Sequence, residues 1–356
     1  MSSSPVSSDS SDRLVVVRPS PLNAEAPSAA LGDVVTPTPL AYVRSNFPTP
    51  ALDADGHRVA VCGAVARPSA VDVAALRTMP QRTVVTTMEC AGNDRATMRP
   101  LPAGEPWQSG AVSTARWTGV PLRDVLEACG VTPDAVEVVA TGADAGPRDD
   151  APDGCTVPFA RALPLADALA PDTLLALAMN DAPLPPEHGA PVRLVVPGWY
   201  GMASVKWVAR LDVRTTPFDG YFQRRRYVYD TPDGVDPVAR MRVKSVIVAP
   251  GDEARVRPGR TRFWGWAWSG DGAIAAVEVA VDGDGAWQRA GLETPASPHA
   301  WTRWSLDVEL APGRHLVRAR ATDASGATQP DVAPWNRLGY GNNAVRPILV
   351  DARDEG

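Results

Sequence analysis

The chain of 356 residues lacks any long hydrophobic run. A membrane-spanning helix needs about 20 consecutive apolar residues, and the longest helix-like apolar stretch, Thr173–Met179, is far shorter. The first residues also lack a basic segment followed by an apolar one, and no arginine pair lies near the start. Because neither a secretory nor a twin-arginine signal is visible, we expect a cytoplasmic protein that does not interact with a membrane.

Positive charge is not in surplus either. Lysine and arginine together number 35 against 41 acidic residues, which gives a net charge of −6. Nucleic-acid-binding proteins usually carry a basic surplus, so we expect no nucleic-acid partner. A local basic pocket is still compatible with this balance, because net charge says nothing about a single cleft.

Cysteine is scarce, and no two cysteines form a C-x-x-C pair. The four are Cys62, Cys90, Cys129 and Cys155. Their spacing argues against zinc ribbons and thioredoxin-like sites, and four cysteines in a chain of this length do not make a disulfide scaffold. Each cysteine therefore has to be interpreted alone, and no role is assigned to Cys62, Cys129 or Cys155.

Proline is abundant, with 36 residues, about twice the usual share of ~5%, which indicates many loops and few long helices. Residues 1–35 are predicted to form an irregular arm with one short strand at Leu14–Val17. Residues 36–238 mix strand and helix signals without a repeated βαβ rhythm, which is typical of an α+β domain. Its predicted strands are Arg58–Ala66, Arg82–Met88, Val136–Ala140 and Pro191–Val196. Its predicted helical segments are Val120–Cys129, capped by Gly130, and shorter turns at Phe159–Leu163 and Leu165–Met179.

Residues 239–356 have a different character. Apolar residues alternate along Val277–Val281, Trp304–Leu310 and His315–Ala321, with turn residues between them. Short alternating strands at this spacing predict an immunoglobulin-like β-sandwich. Seven of the eleven tryptophans lie in this part of the chain. We interpret them as sandwich core plus a docking face, and an aromatic binding face is the alternative.

Three segments carry residues suited to chemistry. Cys90 lies at the end of a predicted strand and Arg95 follows five positions later, and a thiolate needs such a positive neighbour or a metal. On spacing alone, a buried inert cysteine is the competing interpretation. His188 and Arg193 flank the entry to another strand, where they could hold a phosphate, although a loop histidine is commonly an ordinary hydrogen-bonding residue. Lys206 follows small residues and can reach an anion.

Two other motifs are interpreted without assigning them a function. The basic run Arg224–Arg226 is typical of a solvated face. Gly339–Ala344 matches a dinucleotide fingerprint by letter, but it leads into a predicted strand instead of a helix, so we interpret it as a turn.

The motif at Cys90 and several others resemble the sulfite oxidase family of molybdopterin enzymes, from about residue 20 to residue 350. The shared pieces occur in one order along the chain, and as a set they are specific. They include Pro21–Glu25, Tyr42–Pro48, Glu89–Asn93, Gly110–Trp117, Met179–Asn180, His188–Gly189, Val192–Arg193, Val205–Trp207 and Trp335–Asn336. The resemblance implies an α+β domain that binds the cofactor, followed by an immunoglobulin-like domain that forms a homodimer.

The resemblance also implies roles for individual residues. Cys90 is expected to be the thiolate ligand of molybdenum, because a soft thiolate suits a soft, sulfur-rich metal site. The residues where the family holds the molybdopterin and its phosphate are Tyr42, Val43, Arg44, Ser45, Asn46, Asp144, His188, Arg193, Ser204, Val205 and Lys206. The residues where the family lines its oxyanion pocket are Arg44, Arg95, Trp107 and Tyr227.

The implied reaction is a two-electron oxygen-atom transfer on a small oxyanion, with sulfite oxidised to sulfate as the expected case. Because the resemblance includes no haem-binding domain, we expect the electrons to leave to an external acceptor such as a cytochrome or oxygen. The metal would carry the chemistry, while the protein supplies position and charge.

Some positions depart from the family pattern. Ala203 and Leu338 replace arginines of the sulfite-oxidising members, and Ser45 and Asn46 replace an asparagine and a histidine. The pocket is therefore expected to be less cationic, unless Arg337 turns inward. A related molybdopterin reductase acting on nitrate or a sulfoxide is the alternative within this class.

Two interpretations from other classes remain open at this point. A cysteine hydrolase built on Cys90 and His188 would need a short hydrogen bond between the two side chains. A non-catalytic binding protein would use the tryptophan-rich sandwich.

Overall fold

Strands make up most of the fold. The computed structural model describes residues 13–148, 150–151, 155–283 and 286–354. Within these ranges it has 24 strands and four α-helices, and the longest helix has eight residues. The abundance of proline accounts for the scarcity of helix, since proline interrupts the helical hydrogen-bond ladder. In the same ranges no helix has both the length and the apolar character needed to cross a membrane.

The elements as far as residue 238 form three sheets, one two-stranded hairpin and four short helices. The strands are β1 Val15–Arg18, β2 Asn23–Glu25, β3 Val43–Arg44, β4 Arg58–Gly63, β5 Ser69–Asp72, β6 Arg82–Glu89, β7 Val112–Pro121, β8 Glu137–Pro147, β9 Thr156–Pro164, β10 Leu174–Met179, β11 Ala182–Pro183, β12 Arg193–Val195, β13 Val208–Arg214, β14 Val228–Thr231 and β15 Gly234–Pro237. The helices are α1 Val73–Thr78, α2 Leu122–Cys129, α3 Leu165–Ala168 and α4 Tyr221–Arg224.

Two five-stranded sheets position the residues of interest. One has the order β11-β10-β7-β6, with β12 also paired to β10, and the other has the order β5-β4-β13-β8-β9. A three-stranded sheet, β1-β2-β3, brings the N-terminal segment against the same region. The ladder between β6 and β7 is antiparallel and runs as far as the pair Glu89 and Val112. The strand therefore delivers the residue after Glu89 to the edge of the sheet.

One predicted helical segment is a strand instead, and the other, Leu165–Met179, is helical only at Leu165–Ala168, which forms α3. Residues 159–163 belong to β9, which pairs with β8, and residues 174–179 form β10, which pairs with β7. Leu174, Leu175 and Ala176 are all fully buried. A strand that is buried on both faces shows no alternation of apolar and polar residues, so its sequence looks like that of a buried helix. The predicted helix at Val120–Cys129 is confirmed as α2, with Gly130 in the left-handed region at its C-terminus.

The C-terminal part consists of two sheets that share one core. Its strands are β16 Lys244–Ala249, β17 Ala254–Val256, β18 Gly259–Trp268, β19 Ile274–Val281, β20 Gln288–Arg289, β21 Gly291–Leu292, β22 Thr302–Leu310, β23 Gly313–Asp323 and β24 Ile348–Ala352. The sheets have the orders β16-β18-β22-β21 and β17-β24-β23-β19-β20. Phe263 and Trp304 of one sheet pack with Val277, Val317 and Val350 of the other. The alternating patterns in the sequence thus mark strands whose inward faces are buried.

Several tryptophans join the two parts of the molecule. Trp266 and Trp301 stack with their ring centroids 4.7 Å apart. Trp266 donates its indole N–H to the carbonyl of Leu31 at 2.7 Å, and Trp301 donates to the carbonyl of Val34 at 2.9 Å. The predicted docking face is therefore present, and it is covered by the N-terminal part of the same chain.

Candidate active site

Cys90 lies immediately beyond the end of β6. Its backbone N–H donates to the carbonyl of Ala111 at 2.8 Å, which fixes the residue although the strand ladder has ended. The side chain is 6% exposed and lies on the walls of two clefts. Burial raises the pKa of the thiol, and the nearby Arg44 and Arg95 oppose that shift.

The two clefts meet at Cys90, and every predicted site residue except Val205 lines one or both of them. The first cleft has a volume of about 590 Å³ and the second about 930 Å³. Both are lined by Arg44, Ser45, Asn46, Cys90 and Tyr227. The first also has Tyr42, Val43, Asp144, His188, Arg193, Ser204 and Lys206 in its wall. The second also has Arg18, Arg95, Trp107, Arg148, Arg226, Leu338 and Tyr340.

Val205 lies behind the wall of the first cleft. Its side chain is fully buried in the hydrophobic core, and its carbonyl accepts a hydrogen bond from the backbone of Leu194 at 2.8 Å. Since it alternates with Ser204 and Lys206, its side chain packs into the core while theirs line the cleft. Val205 can support the cleft only through packing.

The first cleft concentrates cationic side chains. Arg193 lies over the ring of Trp117, with its guanidinium carbon 4.9 Å from the centroid, and donates to the carbonyl of His188 at 3.0 Å. The Nζ of Lys206 donates to Ser45 Oγ at 2.7 Å and to the carbonyl of Glu187 at 2.8 Å. In the described ranges neither cation forms an ion pair with a carboxylate. Their charges are therefore free to meet an anion in the cleft.

The pKa values of the side chains in this cleft are shifted by burial and by the same cations. Burial lowers the pKa of His188 to about 3, and the adjacent positive charges of Arg193 and Lys206 act in the same direction. Burial also lowers the pKa of Lys206 well below its usual value. In contrast, burial raises the pKa of Asp144 to about 6 although Lys206 opposes it, and one carboxylate oxygen of Asp144 has no hydrogen-bond partner among the described residues.

The second cleft has Arg95 in its wall, held by backbone groups. The side chain is 4% exposed, and it donates from Nε to the carbonyl of Leu338 at 3.0 Å and from Nη1 to the carbonyl of Glu105 at 2.7 Å. Its guanidinium carbon lies 5.2 Å from the ring centroid of Tyr340. Gly339, with φ of +62°, makes room for it, since a Cβ there would lie 2.8 Å from Arg95 Cγ. A rigid cation thus faces the cleft.

Tyr227 and Trp107 supply uncharged donors to the same cleft. Tyr227 stacks on Tyr340 with centroids 5.2 Å apart, and its hydroxyl accepts from Asn46 Nδ2 at 3.1 Å, which leaves the O–H able to donate. Trp107 is fully buried, and its indole N–H has no hydrogen-bond partner in the described part of the chain. A buried donor without a partner is rare, and here it lies in the wall of a polar cleft.

Sequence reasoning missed three arginines of the second cleft. The basic run that contains Arg226 predicts a solvated face, but Arg226 lies in the cleft wall and pairs with Asp150 at 2.8 Å. Arg18, from β1, pairs with Glu105 at 2.9 Å. Arg148, at the end of β8, has no distinctive sequence context. The position of Arg226 directly before Tyr227 is the one signal that could have found it.

The structure resolves the positions that depart from the family pattern. Ala203 and Leu338 are both buried, and they bring no charge to either cleft. Arg337 does not turn inward: it is half-exposed and pairs with Asp230, with the two groups 2.9 Å apart.

Behind Cys90 lies a buried ionic cluster, made of Lys244, Glu89 and Asp94. Lys244 Nζ lies 2.8 Å from Glu89 Oε1 and 2.7 Å from Asp94 Oδ2. Each of the three side chains is at most 3% exposed. Burial disfavours the charge on Lys244, but the two carboxylates outweigh it and raise its pKa. Lys244, from the C-terminal sandwich, thereby contacts both ends of the segment Glu89–Asp94, which contains Cys90.

The hydrolase interpretation is not supported by this geometry. Cys90 and His188 line the same cleft, but in the described ranges no hydrogen bond joins their side chains. The pKa of His188 is held near 3 by burial and neighbouring cations, so at neutral pH the imidazole is a poor proton acceptor. Nucleophilic catalysis by a Cys–His pair needs the opposite arrangement.

Comparison with known proteins decides the family. Residues 46–222 match the oxidoreductase molybdopterin binding domain, and residues 236–352 match the Mo-co oxidoreductase dimerisation domain. The sulfite oxidase of Gallus gallus is 38% identical, over 90% of this chain and 74% of that protein. The chain belongs to the sulfite oxidase family of molybdopterin oxidoreductases.

Other members of the sulfite oxidase family show how far the likeness extends. The chain spans 64% of the length of the mammalian mitochondrial sulfite oxidases. An inducible nitrate reductase of Glycine max is 32% identical, over 91% of this chain and 40% of that protein. The crystal structure of the sulfane dehydrogenase SoxCD from Paracoccus pantotrophus superimposes with a TM-score of 0.85 at 28% identity, covering 99% of this chain and 93% of that one.

The residues of the first cleft fit the family's molybdenum cofactor. Its phosphate needs cations without carboxylate partners, and Arg193 and Lys206 meet that need in the described ranges. Its pterin has N–H donors, and Asp144 presents a buried oxygen that no group in the described part of the chain contacts by a hydrogen bond. Its metal needs a soft ligand, and the Cys90 thiol lies at the end of the cleft. The chain is therefore a molybdopterin-dependent oxidoreductase.

Proposed function

We propose that this enzyme transfers an oxygen atom to a small sulfur oxyanion, with sulfite to sulfate as the expected reaction. The observation that carries the proposal is the position of Cys90, where a cationic cleft fitted to the cofactor meets a second cleft that is also lined by arginines. The names of the relatives, sulfite oxidases and a sulfane dehydrogenase, support a sulfur compound as substrate.

In this proposal the first cleft holds the cofactor through its own charges. Cys90 would be the protein ligand of the metal. Arg193, His188 and Lys206 would bind the phosphate, and Asp144 would accept hydrogen bonds from the pterin. The remaining groups are Tyr42, Val43, Arg44, Ser45, Asn46 and Ser204. When bound, the cofactor supplies a molybdenum that takes up two electrons and exchanges oxygen with the substrate.

The second cleft would bind the oxyanion. Arg44 and Arg95 would offset the charge of the anion as it leaves water, since guanidinium groups form strong paired hydrogen bonds with oxyanions. Tyr227 and Trp107 would orient it through their O–H and N–H donors. Overall, sulfite and water give sulfate, two protons and two electrons, and the electrons pass to an external acceptor such as a cytochrome or oxygen.

The same proposal covers the organisation of the chain. Residues 1–35 would be an N-terminal arm, residues 36–238 the cofactor domain and residues 239–356 an immunoglobulin-like sandwich through which two copies dimerise. The two packed sheets of the C-terminal part and its match to a dimerisation domain support the last assignment. We place the enzyme in the cytoplasm.

The proposal is tested by sulfite-dependent reduction of an artificial acceptor, such as ferricyanide, with the purified holoenzyme. Sulfite turnover with release of one sulfate per two electrons is expected. The alternative function is that of a reductase, because Ala203 and Leu338 carry no charge and a nitrate reductase is a relative. Oxidation of a reduced viologen by nitrate, without sulfite turnover, would favour that alternative.

A further inference from the structure

Leu338 lines the second cleft without bringing a charge, whereas Ala203 does not line it. Ala203 and Leu338 are uncharged, and Arg337 pairs with Asp230 on the outside. Arg148 enters the same cleft from the end of β8, on a different element. Arg148 therefore brings positive charge to the second cleft from a different part of the chain than the positions of Ala203 and Leu338.

Arg148 is held by aromatic rings and an amide instead of a carboxylate. Its guanidinium carbon lies 4.6 Å from the ring centroid of Phe47 and 5.5 Å from that of Phe222. Its Nη2 donates to the carbonyl of Asn46 at 3.1 Å and to the Asn46 side-chain oxygen at 3.2 Å. Among the described residues it has no carboxylate partner, and its buried Nε–H has no acceptor. The charge is fixed in place without being neutralised.

Asn46 connects Arg148 to the substrate residues. Its side-chain oxygen accepts from Arg44 Nη2 at 2.9 Å as well as from Arg148, while its Nδ2 donates to the Tyr227 hydroxyl at 3.1 Å. A single amide can accept from two arginines and donate to a phenol at once, because its oxygen has two lone pairs and its nitrogen two hydrogens. An imidazole offers one acceptor nitrogen, so a histidine here could not hold both arginines in this way.

Two other arginines of this cleft wall are neutralised by carboxylates. Arg226 pairs with Asp150 at 2.8 Å, and Arg18 pairs with Glu105 at 2.9 Å. Arg148 is different: burial lowers its pKa, and the like charges of Arg44 and Arg226 act in the same direction. Cations that repel each other around one cleft are relieved when an anion of charge −2 enters it.

We propose that Arg148 is a substrate-binding residue of this enzyme, which Asn46 holds beside Arg44 so that the three-residue group binds a doubly charged oxyanion. This inference rests on the proposed function, because the anion is the substrate or product of the molybdenum site. It assigns Asn46 as a positioning residue, whose replacement would misplace Arg148 without removing a charge.

The test compares Arg148→Gln, Arg148→Ala and Arg148→Lys with a control, Arg337→Ala, in the holoenzyme. Two quantities are measured: steady-state kinetics with sulfite, and equilibrium binding of sulfate by calorimetry, which needs no turnover. Loss of one charged hydrogen-bonding partner should raise KM and the sulfate dissociation constant roughly tenfold, with kcat changed less than about threefold. Arg148→Lys should lie between, and Arg337→Ala should match the wild type.

The outcomes separate the inference from the proposed function. If sulfite is turned over and the Arg148→Gln variant keeps wild-type KM and sulfate affinity, the inference is overturned and the proposed function stands. If the wild type fails to oxidise sulfite yet binds sulfate, and the variant weakens that binding, the proposed function fails while the anion site is supported. Should Arg148→Ala fail to fold, Arg148→Gln decides the question, because its side-chain amide is uncharged but can still donate a hydrogen bond.

Discussion

Among the described residues, buried cations are paired with carboxylates on one side of Cys90 and have no carboxylate partner on the other. Behind it, Lys244 lies between Glu89 and Asp94, with both contacts shorter than 3 Å and all three groups buried. In front of it, Lys206 and Arg193 form no ion pair with a carboxylate in the described ranges.

This difference separates charges that stabilise the fold from charges that are suited to binding a ligand. A buried charge is expensive unless it is paired, so the paired cluster behind Cys90 needs nothing further. The cations in front remain unpaired at a cost in stability that binding of an anionic cofactor or substrate would relieve. Substitutions on the two sides should therefore affect different measurements.

The largest effect is expected at the boundary between the two sides. Cys90→Ser should abolish sulfite oxidation, because a serine hydroxyl is a harder ligand and stays protonated where a thiolate would bind the metal. Folding should be little changed, since serine differs from the buried cysteine only in the replacement of sulfur by oxygen. Turnover assays together with thermal unfolding check this. Wild-type turnover in the variant would refute the ligand assignment.

A large loss of stability is expected behind Cys90. Lys244→Met should destabilise the protein by about 3–5 kcal/mol, because it leaves two buried carboxylates without a counter-charge. Urea unfolding measures the change. The matched control is Arg346→Met, which removes a half-exposed partner of Asp94 and leaves Lys244 in place; it should cost less than about 1 kcal/mol. Equal losses in both variants would show that the buried cluster has no special role.

A gain of stability is expected in front of Cys90. The pKa of Asp144 is raised to about 6, above its unfolded value, so the folded protein holds this proton more tightly. Stability of the cofactor-free protein should then fall as pH rises from about 4 to 6 on account of this group. Asp144→Asn removes the effect and should stabilise the cofactor-free protein above pH 6 by up to about 2 kcal/mol.

The measurement for this prediction is urea unfolding of cofactor-free wild type and Asp144→Asn at pH 4 and pH 7. The difference should be small at pH 4 and favour the variant at pH 7, while cofactor retention in the holoenzyme decreases. A variant that is less stable than wild type at pH 7 would mean that Asp144 stabilises the fold.

The smallest effect concerns Arg95. Arg95→Met should weaken inhibition by sulfate about tenfold, since it removes one charge partner, and leave inhibition by a neutral ligand such as dimethyl sulfoxide unchanged. Because Arg95 also donates to the carbonyls of Leu338 and Glu105, a structural role would weaken both. Equal loss for the two inhibitors would therefore count against anion binding.

Much of this arrangement could be predicted from local patterns and from the family motifs. The alternation at Val277–Val281 and the glycine after α2 depend on neighbours in the sequence, and both appear in the structure as expected. Residues 159–163 and 174–179 could not be predicted correctly, because pairing with distant strands overrides local preference there.

The charged residues that matter most here were the hardest to find. Lys244 and Glu89 are separated by 155 positions, and Arg148 and Asn46 by 102. Neither Lys244 nor Arg148 lies in a motif, so only the three-dimensional arrangement shows that Lys244 pairs with carboxylates while Arg148 pairs with none among the described residues. The resemblance to the family implies roles for Cys90, Arg44 and Tyr227, but none for Arg148.

The most direct test of the central claim is the molybdenum and pterin content of the protein purified from a host that makes the cofactor. About one molybdenum and one molybdopterin per chain are expected, because the cations of the first cleft and the Cys90 thiol fit that group. Protein that is folded but contains neither, from such a host, would contradict the assignment of the cleft and of Cys90.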